Sequence, residues 1–531
     1  MPPRAYLAVT GVALGAALCS CQSPEKAGFR AEPRVEVPVA PRVETAPEPS
    51  AAVRPASYHR AGDELDLSHE NAGRWPEPAE APSTLVASSS GAPIDPERAV
   101  AVIAHSLPVY EQPSYGSHKL GFLRIGAVLP RSAEPVGFEK CEGGWYRIEP
   151  EGYVCVGRAA TLDLEHPLVT ASRQRPDRSA PLPYVYAMAR KPTPPFYVKI
   201  PTLDEQKQHE EELHWHLPRA DREVWSFVNF EPIPDLLRDG RRSPTVRRFN
   251  YTKPVVALGR AEGKSGFAMV RFFEASGRQW GLNAELEVLP LDRLKPVEPS
   301  AFQGIELDDE VTLPVVFVHT RHAHLYSGTP TRGLSPVRRL QFREALPITG
   351  RVARLSGSKY YETRDGYWVK DERLIRVDRF RNEPGWAKPG RTWIDVSILK
   401  QSLVAYEGTK PVYVTLVSTG IDGIGDPEKT HSTIQGQFLT HTKHVTITMS
   451  GDEVGDEFDL RDVPYVQYFE GGYALHAAYW HDSFGQPRSH GCINLSPLDA
   501  RWLFDWTDPQ VPAGWHGALS LNNGTLVHIH P

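Results

Sequence analysis

The sequence predicts a mainly β protein, built of several small modules behind a long N-terminal extension. Three observations lead there. Short runs of β-branched or alternating residues recur along the chain, as at residues 99–103, 315–319 and 444–449, and turn residues bound many of them. A glycine turn leading into an aromatic strand occurs more than once, as in Gly143-Gly144-Trp145-Tyr146 and Gly366-Tyr367-Trp368-Val369. The 49 prolines are unevenly spread, which sets long unstructured stretches beside folded ones. At 531 residues the chain is too long for one ordinary core, and two to four domains are expected.

The first element is a leader, residues 1–21. Arg4 precedes an apolar run from Ala5 to Leu18, too short to span a bilayer, which fits an export signal. The run ends in Leu18-Cys19-Ser20-Cys21. This resembles a bacterial lipobox, which implies lipidation at Cys21 and anchoring of the exported chain to a membrane; the alternative is a plain signal cleaved nearby. Residues 22–97 are rich in Pro, Ala, Glu and Ser and carry few large apolar groups. Such a segment cannot offset its ordering entropy by burial and is expected to act as a disordered tether.

Residues 98–165 follow as a small β module that resembles a bacterial SH3-like domain. A second such module is expected at 310–380, and a β-rich middle region with a helical insert at 180–300. What the SH3-like resemblance implies for these modules is attachment to peptidoglycan or positioning of a C-terminal domain, with packing spacers as the plain alternative. Within the middle region residues 204–226 are expected to be irregularly helical. The run His209-Glu210-Glu211-Glu212-Leu213-His214 suggests a metalloprotease helix, but its histidines are five apart, about 140° around a helix, and do not share a face. No metal and no cofactor is assigned.

The chain changes texture near residue 390. Residues 393–397, 401–406 and 412–420 are expected as strands, and Glu407-Gly408 marks a turn. Ser496-Pro497-Leu498-Asp499 has the form of a helix start, with an N-cap, Pro at N1 and an acid at N3. Residues 525–530 close the chain as a strand. The net charge of −6 and the lack of a basic, aromatic-studded patch give no support to nucleic-acid binding. No apolar run of membrane-spanning length follows the leader.

Five cysteines are present. On the lipobox resemblance, Cys19 would leave with the leader and Cys21 would take the lipid. Cys141 and Cys155 lie close together in one β-rich segment and could pair as a disulfide, a loop closure worth about 3 kcal/mol in the chain-entropy view. Cys492 is left over, in Ser489-His490-Gly491-Cys492-Ile493-Asn494-Leu495. Glycine in such a turn lets backbone amides converge, as an oxyanion hole requires. A thiolate is the nucleophilic form of cysteine, and a nearby imidazole stabilises it. His490 is two residues away; His476 and His481 lie upstream. The plain alternative is a cysteine buried as simple packing. A zinc site made from these groups lacks the usual short paired spacings.

The stretch from Asp462 to Leu495 resembles the L,D-transpeptidase catalytic domain family. That family's signature is a histidine, a spacer, then Ser/Thr-His-Gly-Cys, a hydrophobic residue and Asn or Arg. Here His476 precedes Ser489 by 13 positions, and Ile493-Asn494 completes the pattern. Residues 403–408 and 415–420 also resemble the family's opening strands. The resemblance covers roughly residues 390–531 and implies a β-sandwich. Two departures occur: Ala477 where Gly or Ser is usual, and Thr433-Ile434-Gln435-Gly436 for Thr-Pro-x-Gly.

What the resemblance implies is a peptidoglycan enzyme facing the periplasm or cell wall. Cys492 would attack the carbonyl of the third residue, diaminopimelate, of a stem tetrapeptide, release D-Ala and form a thioester that an amine resolves. His476 is the preferred general acid/base and His490 the runner-up. The amides of His490, Gly491 and Cys492 would hold the oxyanion, with Ser489 and Asn494 supporting the turn. Tyr465, Tyr468, Tyr473, Arg488 and His481 are candidates for the substrate groove, with core packing or a solvated surface as their alternatives. The acceptor is left open between a second stem peptide, a protein lysine and water. Water would make the enzyme an L,D-carboxypeptidase or crosslink hydrolase. A non-catalytic wall-binding lipoprotein is the competing class, and the oligomeric state is unassigned.

Overall fold

Alternation along the C-terminal strands builds two facing sheets. The computed structural model describes residues 94–531 apart from 211–212, 214–221, 241–254, 381–382, 452–456 and 521, together with a two-residue strand at Cys19–Ser20. Cys21 and the remaining residues expected to form a leader and a tether, up to residue 93, lie outside the described residues. The expected tether boundary at 97 shifts earlier. Ile94 is already buried with Ala99, Ala101, Val128 and Val169, and Asp95 caps a short turn by accepting from the Glu97 amide.

The first sheet contains β1 (Thr392–Ser397), β2 (Ser402–Glu407), β3 (Lys410–Leu416), β4 (Gly436–Leu439) and, at the end of the chain, a strand over Leu526–His530. β1 pairs antiparallel with β2 and parallel with the terminal strand. Ile394 and Val396 enter the core between the sheets, whereas Trp393 and Tyr406 stack on the opposite face. The expected strand over 412–420 stops at Leu416. Beyond it the chain leaves this sheet, and Ser418 and Gly420 instead make isolated bridges to Asn494 and Ser489.

The second sheet is organised by the hairpin of β5 (Thr442–Gly451) and β6 (Phe458–Glu470), followed by β7 (Tyr473–Ala477) and β8 (Ile493–Leu495). β7 and β8 run parallel, with His476 opposite Asn494. Helix α1 (Pro497–Trp506) follows, with Ser496 accepting from the Asp499 amide at its start. The Asp499 carboxylate turns inward and accepts from Tyr413, Thr415 and the Gly304 amide, so the helix is fastened to β3. β9 (Gly517–Leu519) joins the edge of β5, and the terminal strand Leu526–His530 is β10.

The upstream modules do not hang free of these sheets. The strand Lys119–Leu123 pairs with β9, and at Gly121 a Cβ would fall 2.2 Å from the Gly517 carbonyl oxygen, an approach only glycine permits. Gly266, in the strand Gly266–Ala275, pairs with Leu460 of β6. Arg124 makes a two-pronged ion pair with the buried Asp462 of β6, and Arg461 pairs with Glu287. Seven antiparallel strands between Val315 and Val377 form a further sheet, and Phe317 from it shares a core with Phe484 and Trp393. Strand pairing and packing thus cross every module boundary, and the described part of the chain from residue 94 onward lies within one compact unit. Cys141 and Cys155 are joined as a disulfide within the first module.

In the middle region a helix spans Leu203–His209, with a capping box between Thr202 and Glu205. His214 lies outside the described residues. Glu210 is buried and bonded to Arg278, Arg293 and Tyr197, a fully committed ion-pair cluster. Its role is structural.

Candidate active site

Residues 489–492 make a tight turn into β8. Ser489 is buried, donates to the Cys492 carbonyl and accepts from the Gly491 amide at 3.1 Å. Gly491 has φ +125°, and a Cβ there would lie 2.8 Å from the Tyr473 ring, so no other residue fits without displacement. The Gly491 amide is engaged within the turn by the Ser489 hydroxyl, and the glycine carries the bend. Thr433 holds the same turn from outside. Its hydroxyl donates to the Gly491 carbonyl and accepts from the Gly420 amide, both at 2.8 Å. Sequence reasoning met Thr433 only as part of a departing motif and missed this contact.

Cys492 stands immediately before β8, one register step ahead of the Leu475–Ile493 pair. Strand spacing and rise then make it a diagonal neighbour of His476, with Cα atoms about 8 Å apart. The sulfur is 3% exposed, belongs to an apolar cluster with Ala474, Tyr479 and Val463, and lies 3.7 Å from the Gly472 carbonyl. This is deeper burial than the sequence led one to expect for a reactive thiol.

His476 is buried on β7. Its Nδ1 lies 3.2 Å from the Ala477 carbonyl, and its ring lies against Trp480. A carbonyl can only accept, so Nδ1 carries the proton and Nε2 keeps its lone pair. The departure at Ala477 is therefore harmless, because the contact is made by the main chain.

His490 occupies a different position. Its ring is sandwiched between Phe458, stacked at 5.0 Å, and His431, edge-on at 4.6 Å. Neither neighbour was singled out from the sequence, and Phe458 carries no signal that would have found it.

His481 has both ring nitrogens within hydrogen-bond distance of protein groups. The Ser483 amide donates to its Nδ1, so the neutral ring carries its proton on Nε2, 2.9 Å from the Asn494 side-chain amide. Only the amide oxygen can accept that proton, and this gives Asn494 Oδ1, otherwise without a hydrogen bond, a partner. Burial, reinforced by Arg488 and His476, pushes the His481 pKa down to about 3 and keeps the ring neutral.

Asn494 is also held through its backbone, which exchanges two hydrogen bonds with Ser418. Among the remaining groove candidates, Tyr473 alone packs on the turn, against Gly491, with its hydroxyl donating to the Pro427 carbonyl. Tyr468 is buried against His444, and Tyr465 is buried with its hydroxyl on the Ala180 carbonyl; both are core. Arg488 is exposed.

These two sheets carry a Ser-His-Gly-Cys turn that leads into a strand parallel to the one bearing a buried histidine. Residues 391–529 match the model of the YkuD family, the L,D-transpeptidase catalytic domain. Members of that family are cysteine-dependent transpeptidases acting on cell-wall peptidoglycan. The chain is 25% identical to the Bacillus subtilis L,D-transpeptidase-family protein YciB, over 23% of this chain and 68% of that protein. Similar solved structures include a mutant L,D-transpeptidase of Enterococcus faecium, at 22% identity and a TM-score of 0.21, covering 27% of this chain. L,D-transpeptidase 3 of Mycobacterium tuberculosis is 19% identical with a TM-score of 0.21, covering 35% of this chain and 79% of that one. The chain spans half the length of the Enterococcus structure.

Proposed function

We propose that the protein is a peptidoglycan L,D-transpeptidase with Cys492 as nucleophile and His476 as general acid/base. The observation that carries this reading is the pairing of β7 with β8, which sets a histidine of fixed tautomer diagonally beside the cysteine. His476 Nε2 takes the thiol proton. The thiolate attacks the diaminopimelate carbonyl of a stem tetrapeptide, and the tetrahedral intermediate collapses with the proton passing to the departing D-Ala amine. An acceptor amine then attacks the thioester, gives its proton to His476 and releases the thiol. His490, wedged between two rings, orients the turn and is not the base.

The test is mass spectrometry of the full chain mixed with disaccharide-tetrapeptide. The reading requires an acyl adduct on Cys492, loss of D-Ala and dimeric product. Cys492→Ala should fold and form none of these; D-Ala release by that variant would defeat the assignment. Lipidation at Cys21, with residues 22–93 as a tether that lets the enzyme reach the wall, completes the proposal.

A further inference from the structure

Three side chains distant in sequence meet on the outer face of the first sheet. Parallel pairing sets Asp395 of β1 opposite His528 of β10, and Ser397 opposite His530. Side chains alternate along a strand, so all three point away from the core that Ile394 and Val396 enter. Asp395 Oδ1 lies 2.8 Å from His528 Nδ1, and Oδ2 lies 3.3 Å from His530 Nε2. The two imidazoles stack with centroids 5.1 Å apart. One donor atom from each residue can be chosen so that all three lie within 4.8 Å of one another. The acyl-transfer chemistry uses none of them.

We propose that Asp395, His528 and His530 form a binding site for a divalent transition-metal ion, zinc by its donor chemistry. Two imidazole nitrogens and one carboxylate oxygen are a zinc donor set. With metal–donor bonds of about 2.0–2.2 Å, tetrahedral donors stand about 3.3–3.6 Å apart, within the 4.8 Å that encloses one donor atom from each of the three residues. Ion binding replaces the hydrogen bonds that now run between carboxylate and rings, and releases any proton they hold.

The surroundings supply what such a site needs beyond three ligands. The donors are half-buried and so reachable from solvent. Tyr406, opposite Trp393 and so on the same face as Asp395, is buried with its hydroxyl lacking a hydrogen-bond partner. A water on the open fourth position of the ion would give that hydroxyl one. Phe380 lies over both imidazoles and Trp386 over His528, which makes the surroundings apolar and strengthens the ion's attraction to the carboxylate. A bound ion would clamp the terminal strand to β1.

The experiment uses the full chain carrying Cys492→Ala, so that the thiol cannot bind metal, stripped with chelator and titrated with zinc chloride by calorimetry. One equivalent should bind. Asp395→Asn and His530→Gln should each weaken binding at least about tenfold while the far-UV spectrum holds. In parallel, zinc added to the unsubstituted chain should slow diethyl pyrocarbonate modification of His528 and His530 but not of exposed His118, which locates the ion even if a variant fails to fold. Zinc affinity unchanged in both folded variants, no binding at all, or binding without protection of these two histidines would each overturn the proposal.

Discussion

Thr433→Val removes one hydroxyl and keeps the side-chain shape, which makes it the sharpest probe of how the nucleophile's turn is held. Thr433 is 1% exposed, and its oxygen is the acceptor for the Gly420 amide and the donor to the Gly491 carbonyl. Valine leaves both main-chain groups in place without that partner. An orphaned buried amide costs about 1–3 kcal/mol, and the lost donor at the carbonyl adds about 0.5–1.5 kcal/mol. The expected loss is therefore about 2–4 kcal/mol for the transition that melts this region. Thr433→Ser keeps both hydrogen bonds and removes one methyl, about 0.8 kcal/mol. Urea denaturation reads the stability, and the rate of acyl-adduct formation on Cys492 reads the site. Since Gly491 adjoins the sulfur, the valine variant should acylate more slowly and the serine variant close to normally. A valine variant as stable and as fast as the serine one would show that the hydroxyl does not hold the turn.

Other perturbations test how the parts of the chain depend on one another. Arg124→Met leaves the buried Asp462 carboxylate without its main counter-charge and should destabilise by about 3–5 kcal/mol, with Arg124→Met/Asp462→Asn recovering part of the loss; urea midpoints check both. Glu210 is buried, which alone would raise its pKa, but Arg278 and Arg293 hold it below its ordinary 4.5. A depressed carboxyl pKa gives stability that is complete above about 4.5 and drains away as pH falls through the lower folded value. The urea midpoint should thus drop on acidification below pH 4.5, and Glu210→Gln should flatten that limb. Cys21→Ala should release the exported chain from membranes into the soluble fraction; retention on membranes would rule out the lipid anchor.

The chemistry of the motif was legible in the chain because it is local. Ser489, Gly491 and Cys492 make one turn, and a glycine at φ +125° with a serine bridging its two sides is encoded within four residues. The β character was equally local, since alternation fixes which side chains face the core. The sequence also bounded what the protein is built from: mainly strands, with one leftover thiol beside several imidazoles. By its residues alone it did not rank those imidazoles, and the preference for His476 came from the family resemblance. His476, His481 and His490 are close in sequence, and only strand register sets His476 opposite Asn494, ties His481 to that asparagine and traps His490 between Phe458 and His431. Nor could it foresee that strands 119–123 and 266–275 pair with the catalytic sheet, or that Asp395 meets His528 and His530. Those contacts join residues more than 100 positions apart. Propensity and periodicity act over a few residues, whereas pairing between distant strands is chosen by the packing of the whole body.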